Sequence, residues 1–327
     1  MHQRHMFSTA VAASSLLLLA ACGGGSGGDT PAQTTPQQIS AENMDATAAI
    51  VVDTVLASGS VGAMADKYVL GSTVSGSAQV RTAADALGLT PRAAARTSQI
   101  SNDCWPSGNI GAQLDDVNNN RILDTGDTAA LTFNACSDGS KTVNGVYTLG
   151  VTAADGNFQL GTGQMGFAIT ITNFKVAQGS EQIGLSGKAI LNIAQDSTTR
   201  STAVLTLSNV TLSSAGGSSG AATVSIPTAT LNTVLNGRSV SMTASEQVDI
   251  THSAYTGKLA IVTEQAVFYT DSADPYPSAG RIRTSTGKST LWLTYLGGDA
   301  AQLDLDANGD GGVDTTKQVK LSELDKL

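Results

Sequence analysis

Two stretches of this chain of 327 residues concentrate side-chain oxygens at a spacing that suits a hard cation. In "DDVNNNRILDTGDT", counted from Asp116, the residues Asp116, Asn118, Asn120, Asp124 and Asp127 fall at positions one, three, five, nine and twelve of a twelve-residue loop. The carbonyl of Ile122 falls at position seven. Calcium takes about six to eight oxygens, and a loop of this spacing turns alternate side chains and one carbonyl toward one point. The competing reading is an Asx-rich turn that holds its own backbone and no metal. In "LDLDANGDGGVDTTK", Asp306, Asn308, Asp310 and Asp314 fill positions one, three, five and nine, with Gly311 at the sharp turn and the Gly312 carbonyl at seven. Lys317 stands where the last carboxylate belongs, which weakens this second site unless Asp304 or a distant carboxylate substitutes. A tight hairpin turn accounts for the same residues equally well.

The first loop resembles the dockerin type of calcium loop, which begins Asp-Val-Asn and ends on Asp. It departs from that pattern at Arg121, where the turn expects glycine, and in the "TAALTFNAC" that follows, an alternating strand where a dockerin has a helix. The resemblance therefore implies a calcium loop and not the dockerin's partner binding.

Other chemistry is poorly supplied. "GTGQMG" fits a dinucleotide fingerprint, but that motif must open a helix and "FAITITNF" alternates as a strand. "GGSGG" at 24–28 matches a nucleophile elbow with no strand before it. A serine triad would have to use His252, beside Asp249 and Ser253, although triad members usually converge from separate elements. No catalytic residue is assigned. A pair of carboxylates acting on polysaccharide remains an alternative, yet aromatic residues make up 4% of the chain, few for a sugar cleft. Of the two tryptophans, Trp105 and Trp292, the first adjoins a cysteine and suits a packing role.

The N-terminus carries Arg4 and then an apolar run at 7–20, too short to span a bilayer. It ends in "LAAC", which resembles the bacterial lipobox. The resemblance implies a signal peptide over 1–21, acylation of Cys22 with fatty chains such as palmitate, and a protein anchored to a membrane without crossing it. Gly23 is not the aspartate that retains lipoproteins in the inner membrane, which implies the outer membrane. Residues 22–39 are the lipidated cysteine and its tether. "GGGSGGDTPAQTTPQQ" has almost nothing to bury and reads as a flexible spacer with a reach of about 20 Å. Cleavage removes Arg4, one of 18 basic residues, and none of the 27 acidic ones, so the net charge moves from −9 to −10. With no basic stripe, nucleic acid is not an expected partner. With Cys22 acylated, Cys104 and Cys136 remain to form a disulfide in an oxidising compartment, contributing on the order of 3 kcal/mol.

The elements that must position these residues are mostly strands. Residues 40–58 place Met44, Ala48, Val51, Val52, Val55 and Leu56 on one helical face, with Ser40 as N-cap and Gly59 as the stop. The rest of 40–100 reads as a small-residue linker. Over 101–327, runs such as "GVYTLGVT", "KAILNIA", "TAVLTLSNVTL" and "STLWLTYL" alternate apolar with Thr, Ser or charge, through to the closing "KQVKLSEL". The expectation is an all-β fold, an antiparallel meander forming a sandwich or an open half-barrel, with one short N-terminal helix. One echo appears: "ITITNFKV" and "LTLSNVTL" share apolar–Thr–apolar–hydroxyl–Asn, with Asn173 and Asn209 at its end, which a duplicated hairpin or strand chemistry alone would produce.

The lipobox, the early helix, the first Asx loop, the Thr-rich strands, "YPSAGRIRTSTG" and the closing "LDLDANGDGGVDTTKQVKLSEL" are together similar to uncharacterised β-rich envelope lipoproteins of proteobacteria, a family that implies no activity. The expected function is non-enzymatic: an envelope lipoprotein whose calcium-stabilised β domain binds a protein, lipid or polysaccharide. A carboxylate-dependent hydrolase and a purely structural surface protein are the alternatives.

Overall fold

The structure, a computed structural model, describes residues 37–65, 97–104, 106–120, 124–157, 162–216, 221–252, 255–272 and 274–324. The expected signal peptide, Cys22, most of the expected tether, Trp105, Ile122 and Ser253 lie outside them. Among the described residues, one helix, α1 (Met44–Ala65), precedes fourteen strands. These are β1 (Thr97–Asp103), β2 (Ser107–Asp115), β3 (Thr128–Ser137), β4 (Thr142–Asn157), β5 (Thr162–Gln178), β6 (Glu181–Ser197) and β7 (Arg200–Ala215). There follow β8 (Ala222–Asn236), β9 (Ser239–Thr251), β10 (Thr256–Tyr269), β11 (Ala279–Ser285), β12 (Thr290–Gly297), β13 (Ala300–Asp306) and β14 (Thr315–Val319), and the helical turn α2 (Leu321–Leu324) closes the described chain.

All fourteen strands form one sheet in chain order. Every strand pairs antiparallel with its sequence neighbours, and β1 and β14 are the two edges. The open alternative of the two expected architectures therefore holds. In such a meander the connections fall at alternate ends of the sheet. The β1–β2, β3–β4, β5–β6, β7–β8, β9–β10, β11–β12 and β13–β14 turns share one end, termed near, and the β2–β3 loop and its counterparts share the far end.

Alternation gives β3 to β13 one buried apolar face each, which α1 helps to cover. The helix packs against β6, β7 and β8 on one side and against β12, β13 and α2 on the other, so the middle and the C-terminal part of the sheet meet across it. Met44, Ala48, Ala49, Ile50, Val51 and Val55 are all buried. A helix apolar over most of its circumference is one surrounded by protein. Thr47 and Thr54 are also buried, and the Thr54 hydroxyl donates to the Ile50 carbonyl one turn back at 2.7 Å. Full burial of each large aliphatic side chain stabilises by roughly 1.5–3 kcal/mol. The helix runs through Gly59, where the sequence predicts a stop, because one glycine costs a helix interior only about 1 kcal/mol. Its start also differs: the Asn43 carbonyl accepts the first helical bond from Thr47 N at 2.9 Å, while Ser40 closes the preceding turn. Asn43 is the N-cap, and Ser40 is not.

Long strands curve only if something relieves the pleat, and here a line of paired kinks crosses the sheet. Ala135 on β3, Asn173 on β5 and Asn209 on β7 have φ of +47°, +49° and +52°. Each faces a positive-φ glycine on the strand before it: Gly108, Gly145 and Gly187. The extra residue of each bulge restores the inward parity, so Leu207 before Asn209 and Val210 after it are both buried. The bulge amides find side-chain acceptors on the next strand, Asn144 Oδ1 for Ala135 N at 2.8 Å and Ser186 Oγ for Asn173 N at 3.1 Å. The line continues to Pro227, within a register shift of β8, where no ladder donor is required. The Asn173/Asn209 echo is thus a repeated corner.

The disulfide Cys104–Cys136 forms, with Cα atoms 5.3 Å apart, and joins the β1–β2 turn to β3 at the near end. Three strands were not read from the sequence: β1, which starts inside the expected linker, β2, and β8, which contains a proline. Only the first part of "KQVKLSEL" is strand, because Ser322 N and Oγ turn back onto Asp299 at 2.7 and 2.6 Å and start α2.

The kinks make a direct prediction. A Cβ on Gly187 would lie 2.6 Å from Val210 Cα and 2.9 Å from Asn209 O, at φ +144°, whereas one on Gly237 meets nothing within 4 Å. Gly187→Ala should cost about 2–4 kcal/mol in urea denaturation from strain and overpacking, and Gly237→Ala about 1 kcal/mol from its left-handed φ alone.

Candidate metal centres

The β2–β3 register pairs Asp115 with Thr128, so the hairpin loop is residues 116–127, the twelve positions that the sequence marked. Its polar groups converge. Asp124 Oδ2 accepts from Asn118 Nδ2 at 2.7 Å and from Asn120 Nδ2 at 2.6 Å. Asp116 Oδ1 accepts from Asn120 N at 3.2 Å, and Asn118 Oδ1 from the same amide at 3.1 Å. Asn119, at φ +58°, makes the reversal that brings these side chains to one side. Asp127 behaves differently. It is 2% exposed, and its two oxygens accept the backbone N–H groups of Val117 and Asp124, each at 2.9 Å. Position twelve thus ties the two arms of the loop together. The next strand braces the arrangement, since Gly126 N donates to Val151 O and Val151 N to Asp127 O.

The second loop joins β13 to β14, whose register ends at Leu305 and Thr315. Asp306 is 3% exposed, and its oxygens accept Gly309 N at 2.6 Å and Gly311 N at 2.9 Å. Burial opposes ionisation of Asp306, and the backbone N–H groups of Gly309, Gly311, Asn308 and Asp310 outweigh it, holding the carboxyl below the usual range. Asn308 Oδ1 accepts Asp310 N at 2.8 Å, Asp310 Oδ1 accepts Gly312 N at 2.7 Å, and Asp314 Oδ2 accepts Ala307 N at 2.8 Å. Thr315 already belongs to β14, so position twelve lies in the strand, and Lys317 pairs there with Asp45 at the start of α1. The ammonium expected to disturb this loop is engaged elsewhere. Asp304, a proposed substitute, is held by Gln302 Nε2 at 2.9 Å and Thr316 Oγ1 at 2.8 Å.

The two loops occupy opposite ends of the sheet: 116–127 at the far end, 306–314 at the near end. The disulfide is at the near end as well. It therefore does not clamp the ends of the first loop, from which it is separated by the length of β2, about 25–30 Å for nine residues. Among the described residues, no three His, Cys, Asp or Glu side chains meet at one point, because asparagines and backbone fill the remaining positions.

His252 sits buried in the β9–β10 turn, where its N donates to Tyr255 O at 3.0 Å and its carbonyl accepts from Thr256 Oγ1 at 3.2 Å. Burial lowers its pKa. Glu42, Asp138 and Asp299 join Asp306 as carboxyls held low, each mainly by hydrogen bonds from neighbouring hydroxyls or turn amides. One cluster escaped the sequence. On the face away from α1, Glu264 of β10 meets Arg283 at 3.1 Å and Arg281 at 3.7 Å, and the Arg281 guanidinium lies 5.4 Å over the Trp292 ring. Strand pairing brings these residues together, and no local motif announces it.

Searches of protein-family models, curated proteins and solved structures found no match to this chain.

A carboxyl whose folded pKa is lowered supplies stability that is present above its unfolded value, near 3.9, and is lost as pH falls toward the folded value. The stability difference between the parent protein and Asp306→Asn should therefore be largest above about pH 5 and should shrink below about pH 4. Urea titrations across that range read it.

Proposed function

We propose that the chain is a non-enzymatic envelope lipoprotein, anchored through Cys22 to the outer membrane, whose β body is stabilised by calcium and offers its outer surface to a partner. The convergence of Asn118, Asn120 and Asp124 carries the calcium reading. Each asparagine amide presents nitrogen to the Asp124 carboxylate, and a half-turn of the amide would place its oxygen at the same point. A cation would then meet Asp116, Asn118, Asn120 and Asp124, with Ile122 supplying a carbonyl and Asp127 keeping the loop closed. The second loop, Asp306, Asn308, Asp310, Gly312 and Asp314, has the same form and is the weaker candidate, since its leading carboxylate is already spent on amides.

The non-enzymatic reading is supported by how the protein uses its interior and its carboxylates. Helix α1 fills the concave face over β6–β8 and β12–β13, where a carrier would hold a lipid. The displaced carboxyls are hydrogen-bonded anions that secure turns, whereas a hydrolase acid is held protonated by its surroundings. What remains for a partner is the convex face and the loops at the two ends.

Calcium added to metal-free protein should release or absorb heat in a calorimeter and raise Tm by a few degrees, as binding to the folded state alone requires. Asp116→Ala with Asp124→Ala should lose most of both effects, and Asp306→Ala a smaller part. No heat from the parent protein, or equal heat from the double variant, removes the first loop as a site.

A further inference from the structure

We infer that the protein stands on its membrane with the near end of the sheet, the β9–β10, β11–β12 and β13–β14 turns, against the lipid headgroups, and with the 116–127 loop facing away. The inference rests on the anchor reading of Cys22 and gives that anchor a geometry.

The described chain begins at Gln37, and its contacts fix where the N-terminal segment reaches the body. Gln37 N donates to Thr256 O at 2.9 Å, its Oε1 accepts from Thr256 N at 3.3 Å, and its carbonyl accepts from the Tyr255 hydroxyl at 3.1 Å. Two residues later, Ile39 N donates to the buried Ser289 Oγ at 2.8 Å. Tyr255 and Ile39 are themselves buried, which makes this attachment part of the core. Thr256 opens β10 after the β9–β10 turn, and Ser289 ends the β11–β12 turn, so both belong to the near end.

Fifteen residues follow Cys22 up to Gln37, a length of chain that covers at most about 50 Å when fully drawn out. The longest strands, β5 and β6, have 17 residues and extend about 55 Å. Setting the far end on the bilayer would therefore require the linking chain to run nearly straight along the whole body, at a large entropic cost. Any shorter path leaves the near end down. Charge does not compete with this constraint: the near end mixes Lys288 and Lys141 with Asp138, Asp310 and Asp314, so the covalent link sets the orientation. The loop at 306–314 would then lie beside the headgroups and the loop at 116–127 beyond the body, at the height where a partner arrives.

The test uses the acylated, disulfide-intact protein in phosphatidylcholine vesicles that carry an energy acceptor on a fraction of the headgroups. A donor dye is placed on Lys288→Cys in the β11–β12 turn or on Thr199→Cys in the β6–β7 turn. Severalfold stronger transfer from position 288 than from position 199, unchanged by salt, is the expected result. Equal transfer, or stronger transfer from 199, with acylated protein overturns the orientation alone. A mature N-terminus whose mass carries no acyl chains, or a Cys22→Ser protein that still floats with the vesicles, overturns the anchor and the orientation with it.

Discussion

A meander of fourteen strands, of which β3 to β13 are apolar on one side, presents a broad greasy surface that water does not tolerate. Helix α1 is what this chain supplies to meet it. Because α1 touches β6–β8 and β12–β13 together, it bridges parts of the sheet far apart in sequence, which no local hydrogen bonding would bring close. Removing that contact would leave the buried apolar faces of β6–β8, β12 and β13 without part of their cover. The segment before the helix, through Gln37 and Ile39, and the Lys317–Asp45 pair just after its start then pin the N-terminal end of this bridge.

Curvature is the second requirement, and it is built into the backbone. A flat ladder of residues pairing one to one would carry the outer strands away from the helix. The bulges at Ala135, Asn173 and Asn209, each set against a glycine, bend neighbouring strands at the same height. Pro227 continues the bend where a proline costs no ladder bond. The alternation of connections then decides the rest: the Asx loops fall at opposite ends, and the disulfide and the attachment of the N-terminal segment share one of them.

Much of this was legible in the residues, and the failures have physical reasons. Period-two alternation identified most strands, their antiparallel order and the all-β class, because each strand keeps one face buried and one wet. Asn144-Gly145 and Ser186-Gly187 sit inside β4 and β6 as the kinks themselves, although such pairs signal turns when read locally, and the runs "GVYTLGVT" and "KAILNIA" cover only part of those strands. Those strands therefore read too short. Gly59 did not stop α1, because one glycine lowers the helix propensity by only about 1 kcal/mol and does not by itself end a helix. The first Asx loop was located to the residue, its twelve positions being the hairpin connection. The work of Asp127 on Val117 and Asp124 was not legible, since a carboxylate that braces a backbone and one that binds a metal have the same spacing. Nor was the grouping of Glu264, Arg281, Arg283 and Trp292, which depends on strand register alone.

The central claim, that α1 is the interior support of one curved sheet, is tested most directly by native-state hydrogen exchange. If the helix and the sheet form a single cooperative body, amides from Thr47 to Val55 will exchange only through the global opening that also exposes Leu191, Leu207 and Leu231 on β6–β8. Their apparent free energies will match and will fall together with added urea. Exchange of the helical amides at a much lower free energy, while β6–β8 stay protected, would contradict the account.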